Sequence, residues 1–173
     1  TRVNALGLIE EVPVDTARID YDPVTGECKG LLVEPQRTNL LTYSERTDGV
    51  GTNPTTMDFG AGEVGATYFN AAGATYSYES IGSLSENRTL SVYVKNDDGS
   101  APVFGSSEGW SSTNQFSLVV GGSPLNPLNY IVENKGNGVY RVSCVVGSAL
   151  SGNVGIVRYA ANIQKPFKVS GRQ

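Results

Sequence analysis

Few residues in this chain could do covalent chemistry, and one absence constrains them more than any motif: the 173 residues include no histidine. A Ser-His-Asp triad, a Cys-His pair and the common zinc sites all need imidazole, so none is available. Cys28 and Cys144 are the only cysteines. Two thiols so far apart make neither a structural zinc site nor a disulfide framework for a domain of this size, and reduced, partly buried thiols are expected. Paired carboxylates remain, as in glycosidases. Glu79 with Glu108 is a pair on paper, but acidic side chains on exposed loops are ordinary. No catalytic residue, metal or cofactor is expected.

Three further clusters have a chemical and a plainer reading. Asp20-Tyr21-Asp22 with Gly26 and Glu27 is superficially a calcium loop, yet it lacks a third acidic ligand and the spaced bidentate Glu. An Asx turn, with Asp22 bonded to its own backbone, is expected there. Gly60–Gly65 and Gly121-Gly122-Ser123 are glycine-rich, but neither leads from a strand into a helix with a Lys, so turns explain them better than phosphate cradles. Trp110 is different. It lies in a polar stretch with Glu108, Ser111, Ser112, Thr113 and Asn114. A loop aromatic among amides and hydroxyls is the grip used on sugar rings; packing at a sandwich rim or a subunit interface gives the same pattern. Trp110, Asn114 and Glu108 are the candidate ligand-binding residues. Tyr68, Tyr76 and Tyr78 are a second possible platform, although alternation on a half-buried strand also places tyrosines this way.

The elements that must position these residues read as strands. No window holds apolar residues at helical spacing without Gly, Pro or β-branched interruptions. Ala17–Tyr21 alternates, meets the turn signal Asp22-Pro23-Val24-Thr25-Gly26, and resumes at Gly30–Glu34: a hairpin. The polar stretch Thr42–Thr56 reads as a linker or long loop and is the best boundary in the chain. Short strands follow at Thr67–Phe69, Tyr76–Tyr78, Thr89–Val94, Phe116–Val120, Tyr130–Val132, Val139–Val146, Gly155–Tyr159 and Phe167–Val169. The expected fold is all-β, a two-sheet antiparallel sandwich of jelly-roll type over 46–173, preceded by a short N-terminal β-hairpin annex over 1–45.

Composition agrees. Charged residues make up 17% of the chain, with 21 Gly and nine Tyr, which suits short strands joined by many turns. A net charge of −4 with scattered basic residues argues against nucleic acid and against an anionic membrane surface. No apolar run approaches the length of a membrane span. A start at Thr1-Arg2, without a leader pattern, is what a processed or trimmed product would show.

Several runs together resemble a known module: Arg2–Glu10, Arg18–Pro23 with Gly26, Gly30–Glu34, and Arg37–Glu45. They are similar to a module of bacteriophage tail-fibre and other virion surface proteins, where it precedes a jelly roll similar to carbohydrate-binding modules. The likeness covers about the first 45 residues closely and the rest loosely, through Thr89–Lys95, Asn137–Ser143 and Asn162–Gln164, the last looking like the final strand. Lys165-Pro166 departs from the pattern, as does Glu45–Met57. The resemblance implies a non-enzymatic structural protein of the virion, commonly trimeric, contacting other virion proteins, with host-surface glycan binding as the alternative main role and a polysaccharide depolymerase as a weaker one. Leu6, Leu8, Ile9, Leu31 and Leu32 fit the expectation of a homo-oligomer, because an annex this small cannot bury them alone. The Asn87-Arg88-Thr89 sequon would go unused in a protein made in a bacterium.

Overall fold

The computed structural model describes residues 2–13, 16–32, 40–41, 52–60, 62–70, 74–81, 83, 86–105, 111–148, 151–159 and 161–173. Among these residues the chain is all-β, broken only by a 3-10 turn at Pro127–Asn129. The strands are β1 (Arg2–Val3), β2 (Ile9–Glu10), β3 (Ile19–Tyr21), β4 (Cys28–Leu31), β5 (Asn53–Asp58), β6 (Glu63–Phe69) and β7 (Thr75–Ile81). They continue with β8 (Arg88–Asn96), β9 (Ser117–Val120), β10 (Ser123–Pro124), β11 (Ile131–Asn134), β12 (Val139–Val146), β13 (Gly152–Arg158) and β14 (Phe167–Ser170).

Two antiparallel sheets make the sandwich: six strands in the order β11-β12-β8-β14-β6-β5, and four in the order β10-β9-β13-β7. Alternation in the sequence selects the inner faces. Leu90, Val92 and Val94 of β8 and Val142, Cys144 and Val146 of β12 meet Leu118 and Val120 of β9 and Val154 and Ile156 of β13 in one buried cluster. Aromatic rings run through it. Tyr130 and Phe116 each meet Phe104 edge-on, at 5.0 and 4.9 Å, Phe116 leans on Phe167 at 5.1 Å, and Phe167 stacks on Phe69 at 4.7 Å. Such rings fill the volume between sheets and add geometric preference to burial.

The annex is two small hairpins, β1-β2 and β3-β4. Local polar contacts shape both. The Asn4 Oδ1 accepts from the Leu6 and Leu8 amides, at 3.0 and 3.1 Å, and Arg2 Nε meets Glu10 at 2.6 Å. In the second hairpin, Asp22 Oδ1 accepts from the Val24 and Thr25 amides, both at 2.9 Å. The annex lies against the sandwich: Ile9 bridges Gly60, and Leu41 joins the buried cluster.

Two expectations need correction. The polar stretch ending at Thr56 is not linker throughout, because Asn53–Asp58 pairs with Glu63–Tyr68 of β6 as an edge strand. Its Thr and Asn side chains suit an edge whose outer row faces water; residues 42–51 lie outside the described residues. Asn162–Gln164 is not the final strand either. It is a turn closed by side-chain amides, and Phe167–Ser170 closes the sheet between β8 and β6.

Candidate functional site

Glu108 and Trp110 fall within 106–110, outside the described residues, but the stem that carries this loop is defined. Asn114 is fully buried. Its Oδ1 accepts from the Gly105 amide at 2.8 Å, its carbonyl accepts from the Ile163 amide at 3.0 Å, and its own amide donates to the Ser111 carbonyl at 3.1 Å. Asn162 adds a second tie, donating from Nδ2 to the Ser111 carbonyl at 2.7 Å while its Oδ1 accepts from the Tyr159 amide at 2.8 Å. Gly105 is required by close approach, since a Cβ there would sit 2.1 Å from Thr113 Oγ1. Asn114 therefore holds Gly105 and Ser111 together, and the side-chain oxygen expected to orient a ligand accepts from backbone. Behind it, Gln115 Nε2 donates to Asn96 Oδ1 at 2.7 Å, and Asn96 Nδ2 donates to the Ser100 and Ala101 carbonyls at 2.9 and 3.2 Å. This buried amide chain has no signature in the sequence beyond the Asn-Gln pair itself, because amides are equally common on surfaces.

The tyrosines divide between the two sheets. Tyr76 and Tyr78 lie on the outer face of β7 and stack on each other, 4.6 Å apart and 12° from parallel. They sit across from Val157 and Gly155 of β13. A Cβ on Gly155 would come within 2.7 Å of the Tyr78 Cβ, so the missing side chain makes room for the ring pair. A hydrogen bond with Tyr78, then desolvation, raises the Tyr76 hydroxyl above its usual value. Tyr68 belongs to the other sheet and gives its hydroxyl to Asp97 Oδ2 at 2.8 Å, so it adds nothing to a platform with the other two. β7 starts where β13 ends, Thr75 facing Arg158, and Tyr159 follows into the turn that anchors the loop stem. The stacked pair and the stem thus belong to the same end of the four-stranded sheet.

No family model, curated protein or solved structure matches this chain.

The chemical readings of the other clusters resolve on geometry. Hydrogen bonds from the Thr25 and Val24 amides and from Lys29 hold the Asp22 carboxyl well below the usual carboxylate range. Asp20 accepts from the Val3 amide at 2.9 Å. Asp22 thus closes an Asx turn in its own hairpin, and Asp20 ties β3 to β1 of the other hairpin. Among the described residues no group of three His, Cys, Asp or Glu side chains is placed to hold a metal. The pair Glu79 and Glu108 falls partly outside the described residues. Cys28 is exposed and Cys144 buried, both as free thiols, and burial pushes the Cys144 thiol up. Arg141 is an outward strand residue, with Nη2 donating to Ser91 Oγ at 3.2 Å. Asn87, the sequon residue, uses its Oδ1 to accept from the Ser148 amide at 3.0 Å.

Proposed function

We propose that the chain is a non-enzymatic structural module of a bacteriophage virion appendage, a tail fibre or related surface protein, in which the annex makes subunit contacts and the sandwich is the outward-facing domain. On this reading the sandwich is a jelly roll, the protein is located in the virion, and its partners are copies of itself, as a trimer, and other virion proteins. The observation that carries it is the state of the annex, whose sequence also bears the resemblance. Leu6 is 80% exposed, Val24 71% and Leu31 59%, although polar contacts fix the backbone around Leu6 and Val24. Ordered apolar side chains left in water over so short a segment are what an assembly surface supplies before assembly.

Light scattering on the purified chain tests this: a mass near three times 18.3 kDa is expected, and the double variant Leu6→Ser/Leu31→Ser should shift it to monomer with the fold intact. A wild-type monomer at micromolar concentration sinks the assembly reading.

A second reading, glycan recognition, is favoured by the partly exposed Tyr76–Tyr78 stack at the same end of the sheet as the hydrogen-bonded stem. Stacked rings offer the apolar surface that sugar C–H groups need, and Trp110 and Glu108 belong to the sequence between the two ends of the stem. Binding to a host-surface glycan array, lost in Trp110→Ala and Tyr78→Ala but not in Tyr68→Phe, would establish it. Release of reducing ends from host polysaccharide would instead make the module a depolymerase.

A further inference from the structure

The interior of the sandwich is apolar along most of its length but holds two buried guanidiniums, Arg172, whose Nη1 donates to Ser77 Oγ at 2.7 Å, and Arg158 at the end of β13. Ile156 and Arg158 share the inward face of β13, and Arg158 is wholly buried. Its guanidinium lies 5.8 Å from the centre of the Phe167 ring, and Nη1 donates to the Phe69 carbonyl at a long 3.5 Å. Its Nε and Nη2 have no hydrogen-bond partner. These two atoms form one edge of the guanidinium, the fork that receives two oxygens of a carboxylate or phosphate side-on. Thr75, its cross-strand neighbour on β7, is also buried with its Oγ1 unpartnered. Arg158 ends β13 and Thr75 begins β7, which puts the cluster at the end of the sheet, where loops open, rather than at its centre.

We propose that the Nε/Nη2 edge of Arg158 and the Thr75 hydroxyl bind a small oxyanion, a carboxylate or phosphate group, inside the sandwich. An arginine keeps its charge, and a lone buried charge is costly unless something neutralises it. Burial pulls the guanidinium below its ordinary value, with only Tyr68 opposing, so the protein itself offers it little compensation. The ring of Phe167 meets one face and leaves the forked edge for an in-plane ligand. Complete burial suits a free ion, while a carboxylate carried on a sugar is the other source of the same chemistry.

The test is thermal melting of the full chain at pH 7 and fixed ionic strength, titrated with phosphate, acetate, glucuronate or chloride. Binding to the folded state alone raises the melting temperature saturably. Phosphate and acetate should raise it by several degrees at about a hundredfold excess over Kd, and chloride much less. Acetate acting without glucuronate identifies a free ion; glucuronate acting equally identifies a sugar-borne carboxylate. Arg158→Met should abolish the shift without lowering anion-free stability, since an apolar isostere removes the lone charge. If that variant does not fold, Thr75→Val serves instead, expected to fold and to need roughly tenfold more anion for the same shift, one lost hydrogen bond to a charge being worth about that factor. An unresponsive wild type, chloride matching phosphate, or a wild-type response retained in Arg158→Met or Thr75→Val would overturn the proposal.

Discussion

The annex and the sandwich are built from the same residue types and held together in opposite ways. In the annex, short side chains close turns over a few residues, as Asn4 and Asp22 do, and Leu6, Val24 and Leu31 stay mostly in water. In the sandwich, register runs over long separations: β8 pairs with β12 for eight residues, and Phe69, Phe116 and Phe167 are wholly buried. The difference teaches where stability resides. Local hydrogen bonds specify shape but return little net free energy, whereas burial of rings and branched chains returns most of it. The annex is thus shaped by its own sequence yet depends on neighbours for its burial.

The largest break in that contrast should come from the aromatic row. Phe116→Ala removes a ring that touches both Phe104 and Phe167 and should cost about 3–5 kcal/mol in urea unfolding. A loss under 1 kcal/mol would mean the sheets do not pack through it. Next, Tyr130→Phe leaves the Leu118 amide without its 2.8 Å acceptor and the Leu125 carbonyl without its 3.1 Å donor. About 1–3 kcal/mol should be lost, again read by urea unfolding.

Acid sharpens the comparison from the other side. Glu10 is held below its usual value by Asn4 and Arg2, Asp22 by amides and Lys29, and Asp98 is lowered to about 2 by Lys165 and Ser100. The folded state therefore takes up protons at lower pH than the unfolded one. Their contribution is full above about pH 5 and fades as pH falls towards 2. Two of the three carboxylates are in the annex, so amide protection at Val24 and Thr25 should fall between about pH 5 and 2 while that of β8 and β12 persists. Simultaneous loss in both regions would show one cooperative unit. The smallest effect is expected from reductant. A disulfide closing so long a loop would be worth about 4 kcal/mol or more in the entropic model, but with Cys28 exposed and Cys144 buried the melting temperature should not change.

How far the sequence carried the reading varies by element. Val139–Val146 was legible to the residue, because Val142, Cys144 and Val146 alternate with Arg141, Ser143 and Val145 and make one face for the core. Asn53–Asp58 was not, because an edge strand needs only one paired side and tolerates the Thr, Asn and Pro that otherwise mark a loop. At the candidate site, the polar density around Trp110 was visible, but the role of Asn114 was not: its partner, the Gly105 amide, is nine residues away, and only the closed stem brings them together.

The sequence by itself determined the all-β class, the turn at Asp22, the free thiols and the absence of imidazole chemistry, all of which follow from residue type and near-neighbour spacing. In β13 the tertiary structure decided which face turns inward. Ile156 and Arg158 share a parity that any reader can count, but period-two alternation does not say which parity is buried. Packing of the second sheet chose it, and so carried a guanidinium into the interior while stacking Tyr76 and Tyr78 outside. Strand pairing between distant segments has no local signal, because it is set by the burial of both faces at once.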